Sequence, residues 1–438
     1  MKSLMAVMLT GLALSAWAQD LRQQKGADNN KAPLDPKQRF DPKRLSATPI
    51  TLDRALSLAE QYNPRLAVAD AQIEVARAGI LTARTRPNPE ANYLAGGQSI
   101  RQPTAAGGLL QHWGYIQPIE LPSVRRNRID SATFGHEASE HAREEARLLL
   151  RGAVKQVFFQ TLRRRGEIEL AEESLKLVED LRQRVQVQVD VGEAGRLELT
   201  RAESEVSTAR TFLRSAQLRE AAAIAELRAL AGTPLGENLA PTGVLDAPMR
   251  LAALDEVRQI ALDRHPALAR AQAEVRRAES RLATEKSLRK PQPNLIAEYE
   301  QMPDLRFFRA GIAIPLPIFN RRQGPIAEAT AELAQANSEL SALHLELSSA
   351  VERAYSGYQI ADQQAVSIEG GPLRGAQAAV DGAEAAFRFG ERGIIEVLDA
   401  QRVLRSIRSD YLSAQYDREA ALIELEQLRA IDLGSPTR

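Results

Sequence analysis

The chain has 438 residues, 44% of them hydrophobic and 26% charged, which is enough apolar content for a sizeable buried core. Lys plus Arg and Asp plus Glu both number 57, and this zero balance excludes the positive excess that nucleic-acid binders and polybasic membrane-surface proteins need. The absence of cysteine excludes disulfides, thiolate metal sites and cysteine nucleophiles, while a composition led by Ala, Leu, Glu, Arg and Gln with 5% aromatics is that of long helices and coiled coils.

The N-terminus predicts a secretory signal over residues 1–18: Lys2 is the positive region, Leu4 to Leu14 the apolar stretch, and Ala16-Trp17-Ala18 the small-x-small cleavage site. Residues 19–49 are polar and carry Pro33, Pro36 and Pro42, the composition of a flexible leader. No later apolar run approaches the ~20 residues that span a bilayer as a helix. The chain is therefore read as leaving the cytoplasm, either to stay soluble outside the inner membrane or to enter an outer membrane as β-strands.

From residue 50 the sequence repeats. Leu52-Asp53 and Asn63-Pro64-Arg65-Leu66-Ala67 are echoed 202 positions later by Leu254-Asp255 and His265-Pro266-Ala267-Leu268-Ala269. Pro118-Ile119-Glu120-Leu121 is echoed 197 positions later by Pro315-Leu316-Pro317-Ile318. Gly192-Glu193-Ala194-Gly195-Arg196-Leu197-Glu198-Leu199 is echoed 198 positions later by Gly390-Glu391-Arg392-Gly393-Ile394-Ile395-Glu396-Val397. A period near 200 is too long for a solenoid and means two copies of one supersecondary unit, 50–245 and 246–431, with a tail at 432–438.

Each copy predicts the same order of elements. A short helix (52–61; 254–264) ends at Asn-Pro or His-Pro, and a helix of about 22 residues follows (65–86; 267–289), stopped by Pro87-Asn88-Pro89 or Pro291-Gln292-Pro293. Next comes a segment of period-2 character, about 90–120 and about 292–318, broken at Pro103 to Gly108 and at Met302-Pro303-Asp304. This gives four strands of roughly ten residues. Trp113 and Tyr115 share one strand face; Phe308, Ala310, Ile312 and Ile314 share another; Glu298 and Glu300 oppose Leu295, Ala297 and Tyr299. A very long helix then runs over about 124–190 and 325–388, with Pro325 tolerated in a first turn and Pro372 placed to kink or break the second copy. Gly-Glu-x-Gly turns the chain, Gly suiting the positive φ that follows a helix end, and return helices close each copy (196–231; 393–431).

Ten-residue strands of alternating polarity suit a transmembrane barrel, but four strands cannot close one, since outer-membrane barrels have at least about 8. An open edge in lipid would strand backbone groups at several kcal/mol each, so other chains would have to complete the barrel. The competing reading of the same pattern is a soluble extracytoplasmic coiled-coil protein with a small β-cap.

The whole set resembles the TolC-like outer-membrane efflux factors. The residues that carry the likeness are Asn63-Pro64, His265-Pro266, Gln117-Pro118-Ile119-Glu120-Leu121, Pro315-Leu316-Pro317-Ile318-Phe319-Asn320-Arg321-Arg322-Gln323-Gly324 and Gly390 to Ala400. The likeness spans about residues 50 to 431, and the Pro-Leu-Pro-Ile-Phe-Asn-Arg segment is most similar to the cobalt–zinc–cadmium resistance branch, which works with heavy-metal pumps of the RND type. The resemblance implies a mainly α fold with a small transmembrane β part. Long antiparallel coiled-coil helices would form an α-barrel in the periplasm, and four strands per chain would contribute to a trimeric 12-stranded β-barrel in the outer membrane of a Gram-negative bacterium. It implies a passive duct, not an enzyme, with a periplasmic adaptor, an inner-membrane RND pump and outer-membrane lipid as partners, and no cofactor or nucleic acid. Many relatives carry a lipidated N-terminal Cys; this sequence has none.

The resemblance also suggests roles. Glu396 and Asp399, three apart on one helix face, match the acidic rings that narrow the tunnel entrance. Glu198 and Arg392 match an acidic and a basic member of the network that latches that entrance. Gly192, Gly195, Gly390 and Gly393 make the turns that face the adaptor. Two departures stand out: Phe387 replaces a frequent Tyr, and Arg201, the repeat counterpart of Asp399, is basic. His112, His136, His141, His265 and His344 have no metal-ligand spacing, and no phosphate loop, nucleophile elbow or triad context occurs. Two alternatives stay open: a drug-efflux or type I secretion duct of the same fold, and a soluble periplasmic coiled-coil adaptor or scaffold.

Overall fold

The computed structural model describes residues 48–97, 107–232, 239–245 and 251–430. The signal segment, nearly all of the leader, most of the Pro103 to Gly108 loop and the C-terminal tail lie outside the described residues.

The chain begins with β1 (Thr48–Ile50), α1 (Leu52–Tyr62), α2 (Pro64–Arg84), β2 (Glu90–Gly97), β3 (Leu109–Pro118), α3 (Pro122–Asp190) and α4 (Arg196–Ala231). After β4 (Leu239–Pro241) the order recurs: α5 (Leu254–Arg264), α6 (Pro266–Leu288), β5 (Asn294–Gln301), β6 (Arg306–Ala313), α7 (Gln323–Gly370), α8 (Pro372–Arg388) and α9 (Ile394–Arg429). The long helix of the second copy breaks where Pro372 predicts, because Pro lacks the N–H and collides with the preceding turn; Gly371 there takes φ −132° and ψ −72°. Helix α3, with 69 residues, is about 100 Å long at ~1.5 Å per residue. Among the described residues, no helix is long and apolar enough to cross a membrane.

The structure differs from the sequence reading at three places. Thr48 and Pro49 belong to β1, which pairs in parallel with β4 from Thr48 opposite Leu239 to Ile50 opposite Pro241; the expected leader is therefore ordered at its last two residues. Three-residue strands have no periodicity to read, and their partner lies about 190 residues away. Three of the four long strands have 8 residues and only β3 has 10. Ile314 falls beyond β6, because Pro315 and Pro317 cannot donate to a ladder.

Each copy has its own core where the short helix packs on the long and return helices. In the first, Leu56 and Ala59 of α1 meet Leu150, Val154, Phe158 and Leu162 of α3 and Leu227 of α4. In the second, Val257 and Ala261 of α5 meet Val351, Ala354 and Tyr358 of α7 and Leu422 and Leu425 of α9. The residues before the prolines cap the following helices. Asn63 Oδ1 accepts from the Arg65 N–H at 2.9 Å, and its Nδ2 donates to the Leu230 carbonyl at 2.7 Å. His265 Nδ1 accepts from the Ala267 N–H at 3.2 Å, and burial pushes the imidazole's pKa down. The copies are tied to each other across α3 and α9 by Lys155 Nζ and Glu426 Oε2, 2.6 Å apart and almost out of solvent.

Candidate functional site

The four long strands form one antiparallel ribbon in the order β2-β3-β5-β6. Register fixes its two faces. Tyr93 opposes Trp113, Trp113 opposes Tyr299, and Tyr299 opposes Phe308; two residues along, Tyr115 opposes Ala297 and Ala297 opposes Ala310. This face is apolar and exposed, with the Tyr93 and Trp113 rings 4.3 Å apart between centroids. The opposite face carries Asn92, His112, Glu298, Glu300 and Arg309. Arg309 Nη2 lies 2.8 Å from Glu300 Oε2, and its Nε lies 3.4 Å from Glu298 Oε2. A sheet that is apolar on one face and ion-paired on the other suits lipid on one side and water on the other. Its outer strands are bare: every residue of β2 and all but the last of β6 are exposed, whereas the inner strands are largely covered. Phe307 and Phe308 point to opposite faces, so only Phe308 belongs to the apolar one.

At the strand–helix junction, arginines from the first turns of α3 bind the frayed end of α2. Arg128 donates to the Ala83 and Thr85 carbonyls at 3.1 Å each and also pairs with Glu120, and Arg125 donates to the Arg84 carbonyl at 3.0 Å. In the second copy Arg322, with φ +59°, plays a comparable part through Glu285, 2.5 Å from Nη2.

At the far ends of the long helices the two turns are the same structure displaced by 198 positions. The Glu193 N–H reaches the Gln188 carbonyl at 2.8 Å and the Gly192 N–H the Val189 carbonyl at 3.1 Å; the Glu391 N–H reaches Ala386 at 2.9 Å and the Gly390 N–H reaches Phe387 at 3.1 Å. This pair of bonds closes a helix end only when the residue after the cap is left-handed, and Gly192 (φ +83°) and Gly390 (φ +74°) supply that. Gly195 and Gly393 are extended N-caps of α4 and α9. The two turns are held side by side by Leu181, Val185, Ala202, Phe387, Ile394, Val397 and Leu398, with the Phe387 ring buried in the cluster.

Glu396 and Asp399 project from the side of α9 opposite this cluster and are exposed. They do not stand alone. Arg392 Nη1 is 3.9 Å from Glu396 Oε1, and the Arg402 guanidinium, whose pKa is raised first by its hydrogen bond to Glu205, also feels the Asp399 charge. The second turn therefore opens an exposed stripe of mixed sign, two carboxylates flanked by two guanidiniums: Arg392, Glu396, Asp399, Arg402. Within the single chain Arg392 pairs with Glu396, and Glu198, at the equivalent third position of α4, lies in its own helix's first turn.

The link between the copies at this end is one that sequence reading missed. Arg402 Nη2 binds Glu205 Oε2 at 2.7 Å, and Arg408 Nη1 binds Glu173 Oε2 at 2.8 Å. Arg402 lies three residues after Asp399, a spacing that marks it as a neighbour, but nothing local points to Glu205, 197 positions away. Among the described residues, no group of three or more His, Asp or Glu side chains could hold a metal ion.

An amphipathic ribbon with two bare edges, carried on long helices, of which α3 runs about 100 Å, that end in paired turns, defines the TolC-like class of outer-membrane channel. The chain belongs to the outer membrane efflux protein family, which it matches in two segments, residues 55–233 and 257–430. It is 30% identical over 374 residues to the cobalt-zinc-cadmium resistance protein CzcC of Cupriavidus metallidurans, covering 84% of this chain and 87% of that one. It is 24% identical over 418 residues to the pyoverdine export outer membrane protein OpmQ of Pseudomonas putida, covering 88% and 87%. Its fold matches a crystal structure of CusC with a TM-score of 0.74 at 20% identity, covering 92% of this chain and 98% of that one.

Proposed function

We propose that the protein is one of three identical subunits of an outer-membrane exit duct. The observation that carries this is the ribbon: it has an apolar face for lipid, a charged face for a lumen, and two bare edges that no part of the described chain covers. Three ribbons give about twelve strands, above the ~8 needed to close a barrel. The helices then form a periplasmic tunnel, and the turns at Gly192–Gly195 and Gly390–Gly393 face a periplasmic adaptor that connects to an inner-membrane RND pump. The duct itself is passive. Glu396 and Asp399 ring its narrowest point, and Glu198 and Arg392 form the latch between neighbouring helix pairs.

The cargo class in this reading is heavy-metal cations, supported by the similarity to CzcC over most of both chains. The similarity to OpmQ, a pyoverdine export protein, supports pyoverdine as a second cargo. Deleting the gene and measuring growth on cobalt, zinc and cadmium salts tests the first: tolerance falls, and the wild-type gene restores it. Unchanged tolerance to all three metals would reject the metal cargo. The protein should fractionate with the outer membrane and purify in detergent as a trimer; a water-soluble monomer would reject the channel.

A further inference from the structure

Where β3 gives way to α3, the apolar face of the ribbon runs into a groove lined with arginines. Side chains alternate along β3, so Trp113, Tyr115 and Gln117 stand on one face, the apolar one. The Tyr115 hydroxyl donates to Gln117 Oε1 at 3.4 Å, and Gln117 in turn lines a cavity of about 740 Å³ at the strand–helix junction. Arg86, Arg125 and Arg126 line the same cavity, together with Ile119 and Ile129.

The charge in this groove is uneven. Two carboxylates line it: Glu120 is taken by Arg128, and Asp130 lies 3.8 Å from Arg126, whose side chain is 84% exposed. Arg125 donates through Nη2 to the Arg84 carbonyl, and Arg86 is exposed. Neither has a carboxylate partner among the described residues, so two guanidiniums stand in excess.

The second copy lacks this excess. The offset of 197 carries Arg125 onto Arg322 and Arg126 onto Gln323. Arg322 is closed off by Glu285, 2.5 Å from Nη2. The offset of 202 between α2 and α6 puts the buried Ala83 in the place of Glu285 in the first copy. The duplicated unit thus keeps the arginine in both copies but supplies its carboxylate in only one, and the first copy's charge is open to an anion from outside the chain.

Resting on the duct reading above, we propose that this groove binds the headgroup phosphate of an anionic glycerophospholipid in the periplasmic leaflet of the outer membrane, with the acyl chains lying on the apolar face of the ribbon. Charge complementarity and continuity with the lipid-facing surface choose this occupant. Guanidiniums match the oxygens of a phosphodiester in a forked geometry that an ammonium cannot copy. The chains of a lipid held there leave past Ile119, which is 36% exposed, and reach the exposed rings of Tyr115 and Trp113. Amphipathic rings of this kind sit at headgroup level. Tyr115 is three residues from Pro118, the end of β3, or about 10 Å at ~3.3 Å per residue, so the arginines lie just outside the hydrocarbon. A free phosphate would use the arginines and not the apolar path beside them. Each subunit then holds one lipid where its strands meet its helices, which fixes the depth of the barrel.

Native mass spectrometry of the full chain in detergent, with phosphatidylglycerol or phosphatidylcholine added, tests this. Both lipids carry the phosphodiester, and only the first has a net negative charge. The wild-type protein should retain one phosphatidylglycerol per chain, about tenfold in preference to phosphatidylcholine. Arg86→Gln with Arg126→Gln alters exposed side chains and leaves Arg125 on the Arg84 carbonyl; it should cut that preference at least about threefold with the trimer mass unchanged. Arg289→Gln with Lys290→Gln removes the same charge from the second copy and should keep the preference. An unchanged preference in the Arg86 and Arg126 variant, or displacement of the lipid by millimolar inorganic phosphate, overturns the lipid site. Loss of trimers in that variant overturns it too, because the groove is then a contact between subunits. A monomeric wild-type mass rejects the duct instead, and the count of lipids per chain still decides the groove.

Discussion

Arg402 Nη2 and Glu205 Oε2, 2.7 Å apart, join the return helices of the two copies at the last residue of the charged stripe of α9. The Glu205 side chain is 9% exposed, so it is the partner that depends on the bond; the guanidinium reaches solvent. Arg402→Ala should destabilise the protein by about 1–2 kcal/mol, at the low end for a buried carboxylate because water can reach it in part. It should also loosen the second turn against the first and raise the resting conductance of the channel in planar bilayers. Wild-type conductance in the variant would show that this bond does not hold the entrance.

Neutralising the carboxylates of the stripe should remove its attraction for cations. Glu396→Gln with Asp399→Asn keeps side-chain size and leaves Arg392 and Arg402 exposed on the same face. In a threefold pore the ring would lose its free carboxylates while Arg402 stays paired with Glu205, so cation selectivity should fall and block by multivalent cations should disappear. Reversal potentials under a salt gradient measure this. Unchanged cation selectivity would remove both residues from the constriction.

The turns offer a test in which backbone conformation changes and packing does not. A side chain at Gly192 or Gly390 meets no atom within 4 Å, so any effect comes from φ. Gly390→Val forces a β-branched residue into the left-handed region at about 1–2 kcal/mol, while Gly390→Asn is tolerated there. Export should fall in the valine variant and persist in the asparagine variant, with trimers in the outer membrane in both cases. Equal export by the two would mean that the shape of this turn is not read by a partner.

His265 makes stability depend on pH. Its ring is half-buried, which disfavours the charged form, so the folded pKa lies below the unfolded value of about 6.5. The contribution is complete above the unfolded value and is lost as pH falls toward the folded one, because the unfolded chain takes up the proton first. Thermal unfolding midpoints in detergent should fall over that window. His265→Asn copies the cap that Asn63 provides in the first copy and should keep the midpoint at neutral pH while flattening its acid dependence. An unaltered acid profile in that variant would assign the effect to other groups.

Much of this structure was legible in the sequence because it is local. Helix ends at Asn63 and His265 follow from the next residue being Pro, the break at Gly371 from Pro372, and the turns at Gly192 and Gly390 from the need for positive φ. The faces of the ribbon follow from period 2 once the strands are located, which is why Glu298 and Glu300 were separable from Leu295 and Tyr299. The duplication was legible for the same reason: it consists of short local signals in a fixed order, and the chain matches its family in two corresponding segments.

Tertiary structure alone decided what distant segments do to one another. It paired β1 with β4 across about 190 residues, joined the hairpins through β3 and β5, and brought Glu205 to Arg402 and Lys155 to Glu426. It also turned the isolated carboxylates Glu396 and Asp399 into members of a stripe balanced by Arg392 and Arg402. The sequence by itself determined the elements, their repetition and their polar and apolar faces, since dihedral preference and periodicity act over a few residues. Which faces meet is set by the burial of apolar area and the closing of ion pairs, and those depend on distances that no spacing along the chain encodes.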